Sequence, residues 1–115
     1  MKYRRTEIVL AQFPFTDETG NKLRPVLILT ESSQIHSDYL VMFISSQLSQ
    51  KEEYDFIIDP THVKYAVSGL TKQSVIKLLK LGTISESLIL GTLGNLHLPT
   101  FDEILKTLVK KLQSE

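Results

Sequence analysis

Three polar sets in this chain stand where side chains could do chemistry. Arg24 comes directly before the apolar run that starts at Pro25. A guanidinium held at such a junction is positioned rather than floppy, and its forked donors suit a phosphate. Ser45, Ser46 and Gln47 follow the most apolar run in the chain, Tyr39 to Ile44. Three hydrogen-bonding side chains there could line the floor of a groove. Glu7 opens the first apolar segment and is a carboxylate that could take a proton. Each has a plainer reading. Arg24 could pair with Asp17 or Glu18 on the surface, Ser45 and Ser46 could be ordinary strand-to-turn residues, and Glu7 could be a solvated strand start.

Other chemistries find little support. The chain has no cysteine, which removes a disulfide scaffold, a thiolate zinc site and a Cys nucleophile. His36, His62 and His97 form no i, i+4 pair or close cluster. Asp59 and His62 are near in sequence, but two ligands across Pro60 make a weak metal signal, so no metal and no cofactor are expected. The five glycines are scattered, with no phosphate-cradling loop and no Gly-x-Ser-x-Gly elbow. Gly91 and Gly94 fit turns.

These residues must be held by a chain of 115 residues, one domain spanning 1–115. Apolar residues make up 42% and charged residues 23%, as in an ordinary soluble protein. The longest apolar run is far shorter than the ~20 residues of a membrane helix. Lys2, Arg4 and Arg5 precede only Ile8 to Ala11, too short for a signal peptide. A cytoplasmic protein is the expectation. Thirteen basic residues balance thirteen acidic ones, so net charge alone does not point to nucleic acid. The distribution is uneven: Glu52, Glu53, Asp55 and Asp59 form an acidic stretch, and no acid follows until Glu86, while Lys64, Lys72, Lys77 and Lys80 fall between. A local basic surface on a neutral protein is one reading, and a solvated strand and loop is the other.

Short apolar segments dominate. Strands are expected at Glu7 to Phe13, Pro25 to Thr30, Asp38 to Ser45, Tyr54 to Ile58 and Ser74 to Lys80. Pro25 suits a first strand position, where a missing donor is tolerated. A turn of helix is expected at Ser85 to Ile89 and a last short strand at Leu93 to Leu96. The end of the chain changes period. Phe101, Ile104, Leu105, Leu108, Val109 and Leu112 share one helical face, Thr100 and Glu103 have capping-box spacing, and Lys106, Lys110 and Lys111 suit the C-terminal half. Strands without long intervening helices predict a mostly antiparallel sheet. The first strand is apolar on both faces, which asks for cover on both sides. One helix, a curled barrel-like sheet and a homodimer together would supply it.

Taken together, the residues resemble a known family. The order is Glu7-Ile8-Val9-Leu10, then Phe13-Pro14-Phe15-Thr16-Asp17, then Lys22-Leu23-Arg24-Pro25-Val26-Leu27-Ile28-Leu29. Ile44-Ser45-Ser46-Gln47, Ser74-Val75-Ile76-Lys77, Thr83-Ile84-Ser85 and Leu93-Gly94-Asn95-Leu96 follow, and the amphipathic helix closes the pattern. The set is similar to the MazF/PemK toxins of type II toxin–antitoxin systems, over nearly the whole chain. The resemblance implies a mostly β fold, a small SH3-like β-barrel of the MazF/CcdB type with an antiparallel sheet and a C-terminal helix. It implies a homodimeric endoribonuclease that cuts single-stranded RNA without metal and is neutralised by a cognate antitoxin. Arg24 and Ser45 correspond to the family's catalytic pair, with Glu7 the expected general base. Lys77, Ser46, Gln47 and Phe15 are the expected RNA contacts, Phe15 or Phe13 stacking a base and Phe13 the better core candidate. The sequence departs from the pattern at Thr6, where glycine is usual, and at Leu79, where some members carry an acid two residues after the position of Lys77. That departure keeps a second reading open: a non-catalytic binding module that acts on a protein target such as DNA gyrase.

Overall fold

The computed structural model of the chain describes residues 2–14, 21–61 and 64–114. Six strands, β1 (Glu7–Pro14), β2 (Asn21–Ser33), β3 (Asp38–Ser45), β4 (Phe56–Ile58), β5 (Ser74–Ser85) and β6 (Ile89–Asn95), precede one helix, α1 (Leu98–Gln113). The strands form one antiparallel sheet in the order β4-β5-β3-β2-β1-β6. The mostly β architecture with a C-terminal helix is therefore as expected. The pairing leaves β4 and β6 as the two edges, so the sheet is not closed into a complete barrel.

Both faces of the sheet are dry. On one face Ile8, Leu27, Met42, Ile76 and Leu78 pack with Phe101, Ile104 and Leu108 of α1. On the other, Val9, Ala11, Val26, Ile28, Tyr39, Val41 and Ile84 form a second cluster closed by Tyr3 and Ile89. Among the described residues no α-helix packs in that second cluster. Tyr3 of the N-terminal segment joins it instead, with Leu88 packed against it. The expected need for cover on both sides is thus met largely within one chain. Tyr39 also ties the N-terminus down: its hydroxyl accepts from the Tyr3 amide at 3.0 Å and donates to Glu86 Oε1 at 2.7 Å. Burial first, then the Glu86 carboxylate, raises this hydroxyl above the usual tyrosine range, whereas the Tyr3 and Lys2 amides act against the rise.

Several expected boundaries move for identifiable reasons. β3 has its expected limits. β2 begins four residues before Pro25, because Asn21 to Arg24 pair with β1 alone. Pairing to β3 starts only at Val26. Pro25 therefore lies mid-strand, but in a stretch that is a local edge, where its missing donor costs little. β5 runs on past Lys80 to Ser85 across an irregularity in its pairing with β3. The short helical turn lies at Glu86–Leu88, and Ser85 caps it through a bond from the Ser87 amide. Gly91 and Gly94 are in strand β6, not in turns. Gly94 is needed for close approach: a Cβ there would lie 2.2 Å from the Val67 carbonyl oxygen.

The expected capping box is absent. His97, not Thr100, precedes α1, and its side chain makes no capping bond. Pro99 in the first turn, whose missing N–H would be unpaired there anyway, starts the helix instead. The apolar stripe is buried at Phe101, Ile104 and Leu108, while Val109 and Leu112 face outward. No helix among the described residues is long and apolar enough to cross a membrane.

Candidate active site

One concavity gathers the polar strand ends. It measures about 410 Å³ and is lined by the polar Arg24, Ser45, Gln47, Gln50, Lys77 and Lys80 and by the apolar Phe13, Phe43 and Ile44. Arg24 projects from the local edge of β2, where its backbone pairs with Ala11 of β1. Because β3 has not yet joined there, nothing in the sheet covers that side of the strand. Ser45 is the last residue of β3 and pairs with Val75. Its Oγ accepts a bond from the Gln47 amide at 3.0 Å, which starts the turn leading to Leu48–Gln50. The hydroxyl proton is left to donate.

The lysines arrive through a sheet irregularity. β3 and β5 pair Met42 with Leu81 and then Ile44 with Ile76. Phe43 alone therefore opposes the four residues Lys77 to Lys80. Such bulges re-aim side chains and bend the strand, and here they carry Lys77 and Lys80 to one cavity. Phe43 and Phe13 meet edge to face with centroids 5.3 Å apart and share the lining with three cations. Among the described residues no carboxylate lines the cavity. Cations, a hydroxyl donor, amides and aromatic rings suit a phosphate flanked by a base.

Behind Lys77 sits a buried acid. Lys77 Nζ contacts Asp55 Oδ2 at 2.5 Å and the Gln50 carbonyl at 2.7 Å. Asp55 accepts further bonds from the amides of Leu78 (3.0 Å) and Glu52 (2.9 Å). Burial by itself would raise the Asp55 carboxyl, but the Lys77 ammonium and the two amides outweigh it and hold the group below the usual carboxylate range. Asp55 is thus not part of a solvated acidic stretch.

The sequence pattern of the PemK-like, MazF-like toxin of type II toxin–antitoxin systems matches residues 4–112. The chain belongs to this toxin family. No curated protein matches it significantly in sequence. Two solved structures share the fold. One is an endoribonuclease in complex with its cognate antitoxin from a mycobacterial species, with a TM-score of 0.71 at 12% identity, covering 98% of this chain and 97% of that one. The other is the Mycobacterium tuberculosis toxin MazF-mt6, with a TM-score of 0.67 at 20% identity, covering 95% of this chain and 98% of that one.

Within this MazF-like toxin, four of the expected site residues, Arg24, Ser45, Gln47 and Lys77, meet at the cavity. Glu7 does not. It lies beyond the Ile8–Leu27 pair, whereas Arg24 sits opposite Ala11, so the two are separated by four residues along β1, about 14 Å. Glu7, the expected general base, instead accepts bonds from the Arg4 amide and from Thr92 Oγ1. Ser46 is exposed and does not line the cavity. Phe15 lies outside the described residues, as do Asp17, Glu18 and His62. Phe13, expected in the core, is half-buried: it packs on the second cluster and also floors the cavity. Leu79 is partly exposed and brings no acid. Sequence reasoning missed Phe43, Gln50, Lys80 and Asp55 as members of the site. No local pattern marks them, because the register irregularity opposite Phe43 is what brings them together. Among the described residues no group of three His, Asp or Glu side chains gathers to hold a metal.

Proposed function

We propose that this toxin is an endoribonuclease that cleaves single-stranded RNA by attack of the substrate's own 2′-hydroxyl on the adjacent phosphate. The observation that carries the reading is the convergence of Arg24 and Ser45, from two different strands, on one cavity with two lysines and, among the described residues, no acid. The bond between O2′ and phosphorus forms, the bond from phosphorus to O5′ breaks, and a 2′,3′-cyclic phosphate and a 5′-hydroxyl result. The 2′-proton passes to water, and the departing O5′ takes a proton from water. Arg24 places a guanidinium fork on the non-bridging oxygens as charge builds on the phosphorane-like transition state. Ser45 Oγ–H donates to one of them. Lys77 and Lys80 hold the phosphate, and Phe13 and Phe43 offer faces or edges to the neighbouring base. No metal is needed in this scheme, because the RNA supplies the nucleophile and the protein supplies the positive charge.

A cognate antitoxin is the proposed partner, through a disordered acidic-apolar segment that folds over the basic cavity. The related endoribonuclease solved with its antitoxin supports this. Charge reversal at Arg24 and Lys77 should then weaken the complex. A homodimer is also proposed. Leu23, Leu79, Leu81 and Leu90 are exposed on β2, β5 and β6 and are the surface a second copy would cover. Sedimentation at micromolar concentration tests it.

The deciding experiment incubates the purified toxin with a long single-stranded RNA, with and without excess chelator, and analyses the ends. Cyclic-phosphate and 5′-hydroxyl ends in both conditions, with a DNA analogue uncut, are expected. Cleavage abolished by chelator would overturn the mechanism. RNA intact in every condition would favour the binding-module reading, with a protein as the target.

A further inference from the structure

Lys77 is 8% exposed yet lines the cavity, so only the tip of its side chain reaches the substrate space. An ammonium has three donors. Two are spent inside the protein, on the Gln50 carbonyl and on Asp55. Fixing two N–H directions fixes the rotation about the Cε–Nζ bond, so the third direction is fixed as well, and it has no partner among the described residues. Asp55 is itself locked, with a fully buried side chain and its oxygens held by the amides of Leu78 and Glu52. One carboxylate thus ties the irregular stretch of β5 to the segment that follows Gln47 and Gln50. Its charge also cancels that of Lys77 locally, within a lining that Arg24 and Lys80 share.

We propose that Asp55 is a positioning residue of the active site, which clamps Lys77 so that one neutralised, aimed N–H is left for the RNA phosphate. This rests on the RNA-cleavage reading above. Lys77 then acts through direction rather than through net charge. A bulk counter-charge and an aimed donor differ in salt dependence, since each uncompensated cation at a phosphate steepens the slope of binding against salt.

The test compares the wild-type toxin, Asp55→Asn and the double variant Asp55→Leu/Lys77→Met. Asp55→Asn keeps the shape but unpairs Lys77. Its kcat, measured on protein verified as folded, should fall at least about tenfold, the loss expected when one bond to a charged group is misdirected. Its salt slope for binding a non-cleavable 2′-deoxy oligonucleotide should steepen by about 0.7, the value for one more counter-charge on a single strand. The double variant replaces the whole pair by apolar groups of similar size, a change buried pairs commonly tolerate. It should fold, keep the wild-type salt slope and still be slow. A purely structural pair predicts otherwise: the folded double variant would recover wild-type kcat, and Asp55→Asn would show an unchanged slope. Either result overturns the inference. If Asp55→Asn does not fold, Asp55→Glu, which keeps the charge but shifts the carboxylate, takes its place: a slowed kcat at unchanged salt slope is expected, and a folded Asp55→Glu with wild-type kcat overturns the inference. If the wild-type toxin binds RNA without cutting it, the RNA-cleavage reading fails while the salt slopes still judge the role of Asp55. Absence of binding by every protein overturns both.

Discussion

Ser45 offers the sharpest test of the chemistry, because its neighbour Ser46 is a built-in control. The Ser45 hydroxyl accepts from the Gln47 amide at 3.0 Å. A hydroxyl has one proton to give, and nothing described in the structure takes it. In the proposed transition state it faces a charged phosphate oxygen. A hydrogen bond to a charged group contributes about 1.5–3 kcal/mol, so Ser45→Ala should lower kcat/KM by roughly 10- to 150-fold. The fold should survive, since the Gln47 amide left behind lies on an exposed turn where water can replace the lost oxygen. Ser45→Thr restores the hydroxyl, and a β-branched residue suits the end of a strand, so most activity should return. Ser46→Ala should leave the rate unchanged, because Ser46 does not line the cavity. The assay is cleavage of one labelled RNA at fixed ionic strength, with kcat and KM separated and melting temperatures measured in parallel. If the donor acts only in the transition state, kcat falls and KM does not. Wild-type activity in Ser45→Ala, or an equal loss in Ser46→Ala, would refute the assignment.

Further expectations follow from the same geometry. Arg24→Ala should slow cleavage by roughly 10²–10³, as for one lost oxyanion donor, and Arg24→Lys should recover only part, because an ammonium lacks the fork; single-turnover rates check both. Glu7→Gln should cleave RNA at the wild-type rate but unfold more easily by about 0.5–1.5 kcal/mol, the value of one of its hydrogen bonds, as read by chemical denaturation. Gly94→Ala should cost about 1–3 kcal/mol by overpacking, because the new Cβ would run into the Val67 carbonyl. Acid should unlock the Asp55 clamp. The folded carboxyl sits below its unfolded value of 3.8, so its contribution to stability is complete above that pH and is lost as the pH falls below it. Denaturation midpoints in Asp55→Asn should lack that acid-side step.

The parts of the toxin legible in sequence are those set by local pattern. The limits of β3 follow from an unbroken β-forming run, and α1 from the spacing of Phe101, Ile104 and Leu108. Arg24 and Ser45 were visible because each is polar at the end of an apolar run. Glu7 has the chemistry of a base, but Ile8 pairs with Leu27 and Ala11 with Arg24, which sets Glu7 four residues along β1 from the position opposite Arg24. Thr100 and Glu103 have the spacing of a cap, yet the helix begins three residues earlier, at Leu98 after His97, with Pro99 in its first turn. Lys80 and Phe43 carry no local signal, since nothing in the residues 77–80 announces that β3 will oppose all four with one side chain.

That irregularity explains how so small a sheet can hold a polar cavity at all. A regular antiparallel pair alternates its side chains between two faces, and both faces here are needed for the core. Polar groups on a regular central strand would be buried in one cluster or the other. The cavity sits where regularity fails: at the part of β2 not yet joined by β3, at the last residue of β3, and at the stretch of β5 that outnumbers its partner. Each failure frees side chains from the core without breaking it. The cost is a lysine forced into an 8% exposed position. Asp55, drawn from a stretch that reads as solvated acid, offsets that cost with a carboxylate that also accepts two backbone amides. Stability and aim thus depend on the same oxygen atoms, which is why a variant that removes both partners, rather than one, is needed to tell them apart.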